Sequence, residues 1–215
     1  MSCVQIIMQS DFSIYLMEVD ENKADTYLTD LTAEEIVKFN SIGHEAKRLE
    51  FAASRSLRTS IFGCEQIYYN EFGSPYIKER GFISLSHTHG LVALAHSTVF
   101  NVGLDVESIR EKAQLLHSKF IHPSEREYFD TGNTFDMSLL WSFKETLFKL
   151  ADRKGVHFSS DLIIRKEGDR FFGTIHQYDV LHEYELIYQS FKQYLITCNS
   201  SKEKSHQIDN IRADK

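Results

Sequence analysis

Residues 141–149 read Trp-Ser-Phe-Lys-Glu-Thr-Leu-Phe-Lys and sit inside a run that begins at Asp136 and ends at Leu150. At about 100° per residue, Leu139, Leu140, Phe143, Leu147 and Leu150 fall in one band, the core-facing stripe of an amphipathic helix. Trp141 and Phe148 fall on the other side, close to Glu145 and Lys149. A helix apolar on two sides is covered on both. One side is therefore expected to meet its own sheet, the other a second lobe or a ligand. Trp141, Glu145 and Lys149 are spaced one turn apart and share a stripe.

Some forty residues upstream stands Gly103-Leu104-Asp105-Val106-Glu107. Alternation sends Val102, Leu104 and Val106 to one face of a strand and Gly103, Asp105 and Glu107 to the other. Two carboxylates side by side stay ionised together only if solvent or a cation compensates them. Gly103 is expected to keep that face open to a ligand. Mg²⁺ suits such a place, because it takes one or two carboxylates and completes its shell with water and phosphate oxygens.

Working outward, helical periodicity covers 33–40 and 45–62, with Gly63 as the stop. Strand patterns lie near 4–8, 13–19, 66–72, 82–86 and 90–97. The order then repeats: a strand at 101–107, helices near 111–120, 123–130 and 136–152, and strands near 160–166, 170–177, 182–189 and 191–198. Pro123 suits a first helical position, Asp136 an N-cap and Gly155 a stop. The expected fold class is α+β, two similar pseudo-twofold lobes at 1–100 and 101–200, each a helix on an antiparallel sheet. Residues 201–215 hold two isoleucines and one alanine as their apolar content and read as a frayed tail.

The chain of 215 residues is 42% hydrophobic, enough for a real core, and carries a net charge of −7. That balance counts against a dedicated nucleic-acid binder, whose affinity rests on many cations. It leaves room for a small phosphorylated ligand held by a local basic cluster. Lys47, Arg48, Arg55 and Arg58 supply one on a single helix face, opposite Leu49, Ala53 and Leu57. His87 follows Ser84-Leu-Ser86 and is read as a hydrogen-bond donor to phosphate, while His89 is structural or exposed. Cys3, Cys64 and Cys198 are scattered and odd in number, which favours the cytoplasm. No run reaches the roughly 20 apolar residues of a membrane span, and the first residues lack a signal-peptide pattern.

Taken in order, Ser84-Leu-Ser86-His87, Gly103-Leu-Asp105-Val-Glu107 and Trp141-Ser-Phe-Lys144-Glu145-Thr-Leu-Phe-Lys149 resemble the 4′-phosphopantetheinyl transferases of the surfactin-synthetase type. The resemblance spans roughly residues 28–198. It implies transfer of phosphopantetheine from coenzyme A to a serine of an apo acyl or peptidyl carrier protein, by a monomer whose cofactor lies between two lobes. It implies that Asp105, Glu107 and Glu145 hold Mg²⁺. Arg48, Arg55 and His87 would bind the 3′-phosphate and adenine end of coenzyme A, Ser86 would also contact coenzyme A, and Lys144 and Lys149 would neutralise its diphosphate. Glu145 would activate the serine and Lys149 would protonate the leaving phosphate, with Glu125 as a further acidic position near the metal. Ser74 stands where many relatives carry lysine, so one phosphate contact is expected to be either missing or replaced by Lys78. The rival readings are a catalytically silent module binding coenzyme A or a carrier protein, and a metal-dependent phosphohydrolase or nuclease. The negative charge counts against the last.

Overall fold

The computed structural model describes residues 3–8, 11–151, 155–200 and 203–207. β1 (Cys3–Met8) and β2 (Phe12–Glu18) form a hairpin, followed by α1 (Ala24–Leu28), α2 (Ala33–Ser41) and α3 (Glu45–Phe62). Then come β3 (Tyr68–Tyr69), β4 (Pro75–Tyr76), β5 (Phe82–Thr88) and β6 (Leu91–Ser97). The second part runs β7 (Leu104–Ser108), α4 (Glu111–Leu115), α5 (Thr134–Leu150), β8 (Leu162–Glu167), β9 (Arg170–Gln177), β10 (Val180–Phe191), β11 (Tyr194–Asn199) and β12 (Lys204–Gln207). Two antiparallel six-stranded sheets result: β1-β2-β6-β5-β4-β3, and β7-β11-β10-β9-β8 with β12 also paired to β10. The α+β expectation holds.

Local chemistry sets the helix starts. Thr32 caps α2 in a capping box with Glu35, whose carboxylate accepts from Thr32 N at 3.0 Å. For α5 the cap is Asn133, which accepts from Phe135 N at 2.8 Å, not Asp136 as the sequence suggested. Asp136 instead accepts from Asp130 N at 2.9 Å and steadies the turn before the helix.

The layers stack as α3, first sheet, second sheet, α5. Ala53 and Leu57 of α3 pack on Met17, Val92 and Leu94. The opposite face of that sheet, with Ile14, Leu16, Ala93 and Ala95, packs on Leu104, Val106, Ile196 and Cys198. The far face of the second sheet, with Leu162, Ile164 and Leu186, receives Leu140, Phe143 and Leu147 of α5.

β7 is an edge strand, and the amides of its free side are not left bare. Leu104 N donates to Ser84 Oγ at 3.0 Å and Val106 N to Ser86 Oγ at 3.1 Å. Thr88 Oγ1 and Ser108 Oγ lie 3.4 Å apart one step further on. Alternate hydroxyls of β5 thus stand in for a backbone ladder and tie the two sheets together.

Three expectations change. A Cβ on Gly103 would lie 2.5 Å from Thr146 O and 2.9 Å from Leu150 Cγ, so this glycine admits α5 against β7 and opens no room for a ligand. The region near 66–72 pairs only at Tyr68–Tyr69. In the expected tail, Lys204–Gln207 pair with Val180–Glu183, and Glu203 binds His182 and Tyr184. The rest of 201–215 lies outside the described residues. Among the described residues no helix is long and apolar enough to cross a membrane.

Candidate active site

Helix α5 lies over β7 and grips it with three side chains. Trp141 Nε1 donates to Glu107 Oε1 at 3.1 Å, Ser142 Oγ to Asp105 Oδ2 at 2.9 Å, and Lys149 Nζ to Asp105 Oδ1 at 3.0 Å. Lys149 Nζ also donates to Ser86 Oγ at 3.1 Å and to the Leu104 carbonyl. From the first sheet, Ser86 Oγ donates to Asp105 Oδ1 at 3.1 Å. Asp105, 5% exposed, is therefore addressed from β5 and from the middle and the C-terminal turn of α5. Glu145 is half-buried between Trp141 and Lys149, one turn from each, on the stripe that faces these carboxylates. Behind Ser142 a buried hydroxyl chain runs to Thr197 and Thr146, with oxygens 2.8 Å apart at each link.

Burial, reinforced by the nearby Asp105 charge, pushes the Glu107 carboxyl up; the Trp141 and Arg110 hydrogen bonds oppose this. A cation would relieve that cost. A carboxylate offers about four acceptor positions, and hydroxyls and Lys149 take three on Asp105. One position on Oδ2 is left, so Asp105 and Glu107 fit Mg²⁺ in the mode where one or two carboxylates suffice. The expected three-carboxylate cage does not form: among the described residues no three His, Cys, Asp or Glu gather to hold a metal. Trp141, Ser142 and Lys149 are α5 groups that reach the β7 carboxylates.

Other expected residues are placed elsewhere. Lys144 is fully buried and spends its three protons on Glu125 Oε2 (2.8 Å), Phe120 O (2.7 Å) and Phe158 O (2.7 Å). It projects from another side of α5 than Trp141, Glu145 and Lys149, so it meets the interior and not a diphosphate. Glu125 shares that interior site, accepting from His122 N at 2.7 Å and Ile164 N at 2.8 Å. It is not beside Asp105. Burial pushes Glu125 up and Lys144 down, each opposed by the other's charge.

Arg55 is likewise enclosed, 3% exposed, with Nε on Glu35 at 3.1 Å, one terminal nitrogen on Tyr69 OH at 2.8 Å, and its guanidinium 4.0 Å from the Phe51 ring centre. Arg58 also pairs with Glu35, at 3.2 Å. These cations fasten α2 to α3 and are not offered to a phosphate. Arg48 lies 5.8 Å from the Phe39 ring centre. Glu50, two residues on, faces away from it and accepts His87 Nδ1 at 2.9 Å. Arg48, Arg55 and His87 therefore do not converge. Lys78 stands 4.6 Å from the Tyr68 ring centre.

Two clefts touch residues around the Asp105–Lys149 centre, one at Glu107 and Trp141 and the other at Lys149. One, of about 220 Å³, is mostly apolar and lined by Glu107, Trp141, Ala113, Leu116 and Phe120. The other, of about 240 Å³, is lined by Lys149, Ser84, Phe82, Tyr76, Ser74 and Asn101. The second face of α5 is covered from within its own half, by Phe158 stacked on Trp141 and by Phe120 edge-on to it, each 5.2 Å between centroids.

A family model described as the 4′-phosphopantetheinyl transferase superfamily matches residues 101–199. Over that span the chain is similar to this superfamily. No curated protein matches the chain. The matched span contains Asp105, Glu107, Glu145 and Lys149, whereas Ser86 and His87 lie on β5, outside it. Sequence reading missed the roles of Ser142, Thr146 and Thr197. The usable signal was Ser142 and Thr146, four apart on the Asp105 side of the helix.

Proposed function

We propose that this chain transfers 4′-phosphopantetheine from coenzyme A to a serine of an apo acyl or peptidyl carrier protein, releasing 3′,5′-ADP. The carrying observation is the Asp105–Lys149 pair, with one cleft opening at the neighbouring Glu107 and Trp141 and another at Lys149. Coenzyme A has a charged diphosphate between an uncharged pantetheine arm and an adenosine 3′-phosphate. The apolar cleft beside Trp141 suits the arm. The cleft beside Tyr76, Phe82 and Lys149 suits the nucleotide, with Ser74 at that end.

The serine oxygen attacks the phosphorus that bears pantetheine, forming one P–O bond as the bond to the bridging oxygen breaks. The bond pair leaves with 3′,5′-ADP. Glu145 takes the serine proton and Lys149 supplies one to the leaving phosphate. Lys149 also neutralises charge developing on the diphosphate oxygens. Mg²⁺, held by Asp105 and Glu107 with Glu145 on the facing helix, would add charge neutralisation at the diphosphate. We place the protein in the cytoplasm as a monomer, with the two lobes meeting near residue 100.

The test is the intact mass of an apo carrier protein after incubation with this chain, coenzyme A and Mg²⁺. A gain of one phosphopantetheine supports the proposal. Binding of coenzyme A with no mass change supports a silent binding module, and hydrolysis of the diphosphate without transfer supports a phosphohydrolase.

A further inference from the structure

Ser86 is 7% exposed and its hydroxyl is fully committed. A hydroxyl has one proton and two lone pairs. Ser86 Oγ donates to Asp105 Oδ1 at 3.1 Å and accepts from Val106 N and from Lys149 Nζ, each at 3.1 Å. Nothing is left for a phosphate oxygen, so the reading of Ser86 as a coenzyme A ligand does not stand on this geometry. Lys149 is held by Ser86 Oγ, Asp105 Oδ1 and the Leu104 carbonyl, and its proposed part in transfer requires it to exchange one of these bonds for a diphosphate oxygen. The lysine side chain is 13% exposed and hangs across the junction between the sheets.

We propose that Ser86 is a positioning residue: from β5 it fixes both Asp105 and Lys149, so that the matched span at 101–199 is set for reaction by a side chain outside it. The proposal rests on the transferase reading for its kinetic consequence, but its structural half does not. Ser84 provides the contrast. It is one repeat away on the same strand face and accepts from Leu104 N at 3.0 Å. That is the same type of sheet-to-sheet bond, with no bond recorded to Lys149 or Asp105. Loss of either hydroxyl orphans one buried amide, so both variants lose comparable stability. Only loss of Ser86 frees the reactive pair.

The experiment compares Ser86→Ala, Ser86→Thr and Ser84→Ala in the full chain. The first readout is reductive methylation of lysines followed by peptide mass analysis, which needs no enzymatic activity. Ser86→Ala is expected to raise labelling at Lys149 several-fold, while Ser84→Ala and Ser86→Thr leave it near wild type. The second is transfer kinetics: Ser86→Ala is expected to lower kcat at least tenfold with KM for coenzyme A little changed, and Ser86→Thr to restore most of kcat. Equal effects of Ser84→Ala and Ser86→Ala on both readouts would reduce Ser86 to a structural bond and overturn the proposal. A rise in KM alone would restore it as a ligand and overturn the proposal too. If the wild-type chain transfers nothing yet Lys149 labelling follows the expected pattern, the transferase reading fails and the positioning role stands.

Discussion

Lys144 Nζ lies 2.8 Å from Glu125 Oε2, and neither side chain reaches solvent. This pair joins α5 to the turn at Pro123–Glu127, and Glu125 extends the tie to β8 through Ile164 N. The lysine next to Glu145 in sequence is thus a structural pin. Lys144 and Glu145 point to different sides of the helix, one inward and one toward the site.

Breaking that pin leaves an uncompensated buried charge. Lys144→Met or Glu125→Gln alone is expected to cost about 3–5 kcal/mol, while the double replacement recovers part of the loss. Urea unfolding measures this. An unchanged midpoint in both single variants would mean that the pair is open to water.

Gly103→Ala forces a methyl against Thr146 O at 2.5 Å and Leu150 Cγ at 2.9 Å. Overpacking of this kind costs about 1–3 kcal/mol, and each kcal/mol lowers Tm by about 2–4 °C at this chain size. Because α5 would be lifted from β7, transfer activity is expected to fall as well. A variant with wild-type Tm would show that the helix is not seated on β7 at this point.

His87 is held below the ordinary histidine value of 6.5, first by burial and then by the charges of Lys47 and Lys149, with Glu50 opposing. Between the lowered value and 6.5, the unfolded chain binds a proton that the folded chain does not. Stability is therefore lost as pH falls through that window. Glu50→Gln removes the opposing charge and should move His87 lower still. NMR titration of the ring protons reads both; a His87 value above 6.5 in the native chain would contradict the burial argument.

Arg55→Ala is expected to act on stability, since its guanidinium is enclosed by Glu35, Ser54, Tyr69 and Phe51. A loss of about 3–5 kcal/mol follows from stranding part of the Glu35 charge. The folded fraction should keep its KM for coenzyme A. A raised KM with unchanged stability would return Arg55 to the phosphate site.

Much of the fold was readable because its signals are local. The apolar stripe of α5, the alternation in β7 and the glycine ending α3 each depend on near neighbours in the chain. Residues that lie opposite in space were legible only in part. Arg48, Arg55 and Arg58 share a helix face in projection, but Glu35, twenty residues before Arg55, draws two of them inward. Lys144 reads as a cation for the diphosphate until Glu125 and two carbonyls surround it. The open face inferred from Gly103 was a helix contact, since a missing side chain admits a neighbour or a ligand equally and pattern cannot choose. The hydroxyls that fix Asp105 come from β5 and α5, which no periodicity connects.

The most direct measurement is the mass of an apo carrier protein after incubation with coenzyme A and Mg²⁺, using wild type beside folded Asp105→Ala and Glu145→Gln. Wild type is expected to convert the carrier to its phosphopantetheinylated form, and each variant to be slower by about a hundredfold or more. A carrier unchanged by the wild-type chain, or either variant working at near wild-type rate, would contradict the assignment of transfer to this junction.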